Sequence, residues 1–255
     1  RNCTNLKAIN LESVQHIDKY AFEQCKNLEK IILSNAREIR EYAFSECTKL
    51  KTVEIPNTID TIRNYVFYSC SGIEKLTIGN NVKSIGNYAF YKCMKLDSLE
   101  FPSATTTIGI AAFEKCTNLS SITFGENLLT ISDYAFNNCK KLKSIAFKSI
   151  YPPKVFKTTW KNSSKDLVIS LPLGSDENYV SFLGIEKMIP EIKKEIVATP
   201  IVSATRMEIN LTKINSIDLF SENIIEESYQ CTKGLSKLPQ KRKILCLETF
   251  GRRNS

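Results

Sequence analysis

Residues 20–33 read YAFEQCKNLEKIIL, and the stretch returns along the chain as YAFSECTKLKTVEI at 42–55, YAFYKCMKLDSLEF at 88–101 and YAFNNCKKLKSIAF at 134–147. Two looser copies, YVFYSCSGIEKLTI and AAFEKCTNLSSITF, begin at residues 65 and 111, and a headless copy, CTNLKAINL, begins at residue 3. The periodic cysteines Cys3, Cys25, Cys47, Cys70, Cys93, Cys116 and Cys139 are spaced by 22, 22, 23, 23, 23 and 23 residues. A fixed period of about 20–30 residues is the mark of a solenoid, in which each repeat is one coil.

Within a unit, Ala21, Phe22 and Cys25 are spaced to share one face of a short helical turn. Leu28 follows, then Ile31 and Leu33 at strand spacing. The downstream equivalents are Leu50, Val53 and Ile55; Ile73, Leu76 and Ile78; Leu96, Leu99 and Phe101; Leu119, Ile122 and Phe124; Leu142, Ile145 and Phe147. Ile17, Ile39, Ile62, Ile85, Ile108 and Ile131 fill one more inward position on the return leg. Pro56 and Pro102 end two strands, where a missing backbone donor is tolerated. One coil cannot bury its apolar face alone. In a stack it can, and each inward Leu, Ile or Phe contributes roughly 1.5–3 kcal/mol of transfer free energy before the entropy cost. Strands of successive coils then pair in parallel about 4.8 Å apart, so seven coils stand on the order of 30 Å tall.

Four roles compete for the cysteine row. Cysteine as a small buried hydrophobe with a weak donor is the expected one. Disulfides between adjacent coils satisfy the Cα distance, but parallel Cβ directions do not suit the required dihedral. A single-file row presents one edge, whereas tetrahedral zinc needs ligands converging from several directions. A nucleophilic thiol needs a neighbour that lowers its pKa, and the only histidine is His16. Tyr20, Tyr42, Tyr65, Tyr88 and Tyr134 repeat before the buried Phe, where a half-buried packing row with its hydroxyls outward is expected in preference to a binding platform.

The pattern A-F-x-x-C-x-x-L with a following I-x-x-Y-A-F, with Cys before the strand, resembles the BspA-like leucine-rich repeat surface proteins over residues 1 to about 148. YPPKVF at 151–156 and LVISLPLGSDENYVSF at 167–182 resemble that family's terminal cap, although the tryptophan often found just after the tyrosine is missing and Trp160 lies elsewhere. The expected fold is a leucine-rich-repeat horseshoe, a right-handed coil of 22–23-residue units with parallel strands and short helical turns. The expected divisions are the solenoid at 1–148, its cap at 149–195 and a small β-rich or partly disordered tail at 196–255. Cys3 and Leu6 stand in register with Cys25 and Leu28, so coils are expected to continue before Arg1. In the tail, Cys231 and Cys246 are read first as ordinary thiols, and in an oxidising compartment they are the candidates to pair with each other. Asn2, Asn118, Asn162 and Asn210 head N-x-S/T triplets, which matter only on a eukaryotic secretory route.

The outward strand positions form a polar sheet face of mixed sign, on which Lys51, Glu54, Glu74, Lys75, Asp97 and Glu100 are the candidate partner-binding residues. The net charge of +8 is carried by scattered Lys and Arg, which argues against a dedicated nucleic-acid surface. Lys241-Arg242-Lys243 reads as a solvated loop. No apolar run reaches the length of a membrane span. Neither a phosphate-binding glycine loop nor a paired-histidine motif is present. The sequence thus points to a protein without catalytic, cofactor or metal residues. The resemblance implies an extracellular or cell-surface adhesin with host or extracellular-matrix partners such as fibronectin or fibrinogen. A structural spacer is the alternative.

Overall fold

The computed structural model describes residues 1–164, 167–172, 175, 179 and 206–210. The tail positions Cys231, Cys246 and 241–243 and most of the terminal segment lie outside these residues.

Each repeat contributes two strands, numbered here in chain order. The longer set is β1 (Ala8–Asn10), β3 (Lys30–Ile32), β5 (Thr52–Glu54), β7 (Lys75–Thr77), β9 (Ser98–Glu100), β11 (Ser121–Phe124) and β13 (Ser144–Phe147). The return legs are β2 (His16–Ile17), β4 (Glu38–Ile39), β6 (Thr61–Ile62), β8 (Ser84–Ile85), β10 (Thr107–Ile108) and β12 (Thr130–Ile131). Pairing is parallel and steps by one repeat, as in Thr52↔Lys75 and Val53↔Leu76, or Ile108↔Ile131. The fold is a parallel-strand β-solenoid of about seven turns with almost no helix among the described residues. The inward positions read from the period are buried throughout the middle of the stack, from Leu50, Val53 and Ile55 to Leu142, Ile145 and Phe147.

The arm expected as a short helical turn is a run of tight turns. Ala21 N–H donates to Asp18 O at 3.2 Å, Glu23 to Tyr20 at 3.1 Å and Cys25 to Phe22 at 3.1 Å, each three residues back. The amides between them leave the coil: Tyr20 donates to Glu41 O, Phe22 to Ala43 O and Gln24 to Ser45 O. A helix would bond all of these internally, so this arm is instead a third hydrogen-bonded side of the stack. The alternation requires left-handed backbone, and Tyr20 (φ 63°) and Gln24 (φ 59°) adopt it, as do their equivalents Tyr88 (φ 56°) and Lys92 (φ 58°). Such non-glycine residues cost about 1 kcal/mol or more each and persist where the surroundings over-determine them. Here the inter-coil bonds and stacked rings do so.

Aromatic rings form the inner spine. Phe22, Phe44, Phe67, Phe90, Phe113 and Phe136 stack face to face with centroids 5.1–5.4 Å apart. Trp160 continues this column, stacked on Phe136 at 4.8 Å. The residues after 148 thus add another coil. Its backbone accepts from the coil below, with Phe136 N–H donating to Thr159 O at 2.9 Å and Asn138 N–H to Lys161 O at 2.9 Å. β14 (Val168–Pro172) pairs in parallel with β13, and β15 (Arg206–Asn210) pairs antiparallel with β14. Tyr179 is buried and its hydroxyl donates to the carbonyls of Ser149 and Tyr151 at 3.0 and 3.2 Å.

At one corner of the coil, glycine relieves a close approach to the preceding coil. Pro56, Gly79, Pro102 and Gly125 occupy one position of successive coils. A Cβ on Gly79 would lie 2.5 Å from the Pro56 carbonyl oxygen, and one on Gly125 would lie 2.4 Å from that of Pro102. Both distances are far inside van der Waals contact, so a proline in one coil is followed by a glycine in the next.

Candidate binding surfaces

The cysteine row is architecture. Cys25 through Cys139 are buried free thiols, while Cys3 is exposed. Each buried thiol from Cys47 onward donates to the carbonyl of the Phe one coil back. Cys47 Sγ reaches Phe22 O at 3.2 Å, Cys70 reaches Phe44 at 3.0 Å, Cys93 reaches Phe67 at 3.6 Å, and Cys116 and Cys139 reach Phe90 and Phe113 at 3.4 Å. The same carbonyls accept the turn amide of their own coil, so each Phe oxygen ties two coils together. Alanine lacks the donor, and serine is more polar and smaller at a dry site. Burial pushes the thiols of Cys70, Cys93, Cys116 and Cys139 upward, the reverse of the shift that activates a nucleophile.

The six candidate partner-binding residues fall at repeating, exposed positions of three successive coils. Lys51, Glu54, Glu74, Lys75, Asp97 and Glu100 are all exposed, on or beside β5, β7 and β9. Glu54, Lys75 and Glu100 alternate outward with the buried Val53, Leu76 and Leu99, while Lys51, Glu74 and Asp97 stand exposed at the corner just before each strand. Lys95 Nζ pairs with Glu74 at 3.2 Å and Lys148 Nζ with Glu100 at 2.8 Å, both solvent-exposed pairs of small energetic weight. Asp97 accepts from the Ser120 hydroxyl at 3.0 Å. Among the described residues, Lys51, Glu54 and Lys75 make no ion pair within 4.0 Å. Toward β11 and β13 the equivalents Ser121, Thr123, Ser144 and Ala146 are partly covered. The open, charged part of the face is therefore its first coils up to β9.

The return-leg face carries a second charged group. Glu38 bonds Arg63 at 2.7 Å and Arg40 at 3.3 Å, with His16 Nδ1 at 3.5 Å. Partial desolvation pushes the Glu38 carboxyl up, but Arg40, Arg63 and the hydrogen bonds outweigh it and hold it below the ordinary range. Glu38 is thus a fixed anion. A shallow recess at the loop corner, lined by Asn57, Thr58, Asp60, Asn81, Lys83 and Ala104, is stitched by inter-coil bonds: Asn57 Oδ1 accepts from Asn80 N–H, and its carbonyl from Asn81 Nδ2, both at 2.7 Å. Among the described residues no cluster of three or more His, Cys, Asp or Glu is placed to hold a metal ion, and no helix is long and apolar enough to cross a membrane.

On the turn arm, Tyr20, Tyr42, Tyr65 and Tyr88 stack at 5.1, 4.6 and 5.0 Å, the half-buried packing row that the period anticipates. A second column was missed. Tyr68 and Tyr91 stack at 5.0 Å and meet Tyr65 and Tyr88 edge-on or tilted at 5.8 Å. The signal was available, because each lies three residues after a ladder tyrosine. Lys115 Nζ donates to the Tyr91 hydroxyl at 2.8 Å and, with Lys92, lies over that ring.

Six copies of the BspA type leucine-rich repeat region match the chain, over residues 1–96 and 37–165. The chain belongs to that family. Leucine-rich repeat proteins of this kind are in general non-enzymatic scaffolds, compatible with protein binding. Among solved structures, the BspA-type chain is similar to a leucine-rich repeat protein of T. pallidum, at 26% identity and a TM-score of 0.52, covering 56% of this chain and 73% of that one. It is also similar to a leucine-rich repeat protein from Bacteroides ovatus, at 26% identity and TM-score 0.48, over 62% of this chain and 45% of that one. A leucine rich cell surface protein from Faecalibacterium prausnitzii matches at 26% identity and TM-score 0.48, over 57% of this chain and 50% of that one. No curated protein matches the chain.

Proposed function

We propose that this BspA-type chain is a non-enzymatic, protein-binding scaffold that acts outside the cell or at its surface, and that it engages its partner through the strand face of the first coils. The observation that carries this is the exposed array of Lys51, Glu54, Glu74, Lys75, Asp97 and Glu100 at repeating positions of three successive coils, with several of these charges unpaired within the described residues. A solenoid contributes a large, preorganised surface of this kind, which spares the ordering cost of binding. Alternating charge confers partner choice and register more than raw affinity. The surface location and the partner class, a host or extracellular-matrix protein such as fibronectin or fibrinogen, follow from the family resemblance.

The test is capture of purified matrix proteins on the immobilised chain, with Lys51→Glu, Glu54→Lys, Lys75→Glu and Glu100→Lys combined in one variant. Exposed substitutions of this kind change stability by about 0.5 kcal/mol or less apiece. Binding is expected to weaken about ten-fold or more, the 1.4 kcal/mol that one or two interface anchors carry. A chain whose activity survives these reversals but fails when one coil is inserted or removed is a spacer, and the binding proposal is then wrong.

A further inference from the structure

The net charge of +8 is not scattered along the chain. Residues 1–133 hold fifteen basic and fifteen acidic side chains, and residues 166–255 hold twelve of each. The whole excess falls in residues 134–165, which contain eight lysines and no Asp, Glu or Arg. This segment is the last full repeat and the coil that Trp160 adds to it. Its seven lysines among the described residues are all exposed. Lys140 and Lys141 stand at the corner before β13, and Lys143 and Lys148 bracket that strand. Lys154 bridges to Thr130 on the return leg, and Lys157 and Lys161 lie on the turn arm of the next coil. The Lys161 carbonyl accepts from Asn138 N–H at 2.9 Å, which stands Lys161 close above the Lys140 corner. Successive coils are about 4.8 Å apart, less than the screening length of about 8 Å at physiological salt, so these charges act together as one belt. Little of it is neutralised. Among the described residues Lys148 pairs with Glu100 at 2.8 Å, while Lys140, Lys143, Lys154 and Lys161 make no ion pair within 4.0 Å. The carboxylates of the coil beneath, Glu114, Glu126 and Asp133, keep their charge, and residues 111–164 still hold eight lysines against these three.

We infer that this belt binds an acidic polysaccharide, with Lys140, Lys141, Lys143 and Lys161 as the densest part of the site. The shape and composition of the belt select this ligand among anions. Lysines on the strand face, the return leg and the turn arm cannot all meet a flat membrane, whose attraction fades within a screening length of its surface. A flexible polyanion can follow the corner from one side of the coil to the next. A nucleic acid is another such polymer, but its sites draw on arginine forks and on rings that stack with bases. Here arginine is absent, Phe136 and Trp160 are buried, and Tyr134 is the one large ring strongly exposed among the described residues of these coils. An acidic sugar chain presents sulfate or carboxylate groups with no bases to stack. Compact, strongly hydrated ammonium groups on flexible stems suit that charge pattern. The inference goes beyond the protein-binding proposal, and its four principal lysines are not among the strand-face residues.

The experiment titrates the chain into fluorescein-labelled dextran sulfate and polygalacturonate, read by anisotropy, with unsulfated dextran as the neutral control. Both acidic polymers are expected to bind and dextran is not. Raising the salt from about 50 to 200 mM should weaken binding about ten-fold or more, as the release of condensed counterions requires. Lys140→Gln, Lys141→Gln, Lys143→Gln and Lys161→Gln combined should weaken it about ten-fold or more at constant salt, with the melting temperature unchanged because all four side chains are exposed. The same loss of charge in the first coils, Lys7→Gln, Lys26→Gln, Lys30→Gln and Lys49→Gln combined, lies four or more coil steps away and should change binding by less than about two-fold. No binding of either acidic polymer, or equal losses in the two variants, overturns the site. An oligothymidylate of matched charge, or phosphatidylserine vesicles, binding as tightly overturns the polysaccharide as its ligand. The strand-face reversals leave these lysines untouched, so failure of one proposal is distinguishable from failure of the other.

Discussion

Raising the pH from 7 to 10 is expected to lower the stability of the stack, for unfolding that exposes Cys70, Cys93, Cys116 and Cys139 together. Burial, reinforced for Cys70, Cys93 and Cys139 by neighbouring thiols of the row, pushes all four upward in the folded chain. In the unfolded chain they titrate near the ordinary value of about 8.5. Below that pH both states hold the proton and nothing is lost. Above it the unfolded chain releases protons that the folded chain keeps, so stability falls as pH rises toward the folded-state values. Urea denaturation at pH 7, 8, 9 and 10 measures the fall. Cys93→Ala, which removes one of the four thiols, should make the profile less steep. A profile level through pH 10 would mean that the thiols are already ionisable in the folded state.

Phe90→Ala is expected to cost about 3–5 kcal/mol. The ring is fully buried between Phe67 at 5.3 Å and Phe113 at 5.1 Å, so truncation opens a cavity walled by rigid rings on both sides. Phe22 is only partly buried and has one stacked neighbour, Phe44 at 5.2 Å. Phe22→Ala should cost about 1–2 kcal/mol, nearer the worth of a partly exposed side chain. The contrast follows from nearest-neighbour energetics, in which an end coil has one interface and a central coil has two. Matched denaturation curves for the two variants decide it. Equal losses would show that the first ring of the column is held as firmly as the fourth.

Much of the fold was legible because a solenoid writes its rule many times. The inward Leu, Ile and Phe positions and the outward Glu54, Lys75 and Glu100 follow from period-two alternation repeated at a 22–23-residue step, whereas Lys51, Glu74 and Asp97 are exposed because they sit at the corner before each strand. The turn arm was less legible. Ala21, Phe22 and Cys25 have spacing that a helix and a pair of tight turns share, and a tyrosine or glutamine gives no local sign of left-handed backbone as glycine would. The thiol-to-carbonyl bonds were hidden for a different reason: their acceptors are 25 or 26 residues away, in the preceding coil, and only the stacked backbone brings them together. Trp160 escaped because the step from Phe136 is 24 residues, so the ring column outlives the strict period.

The central claim is that YAFEQC repeats to build a stack, with cysteine as a packing and hydrogen-bonding residue. Alkylation of the folded chain followed by peptide mass spectrometry, with and without reduction, tests it most directly. Cys3 is expected to label at once, while Cys47, Cys70, Cys93, Cys116 and Cys139 label only after unfolding and are recovered as free thiols. Rapid labelling of these five in the folded state, or disulfides between successive members such as Cys70 and Cys93, would contradict it.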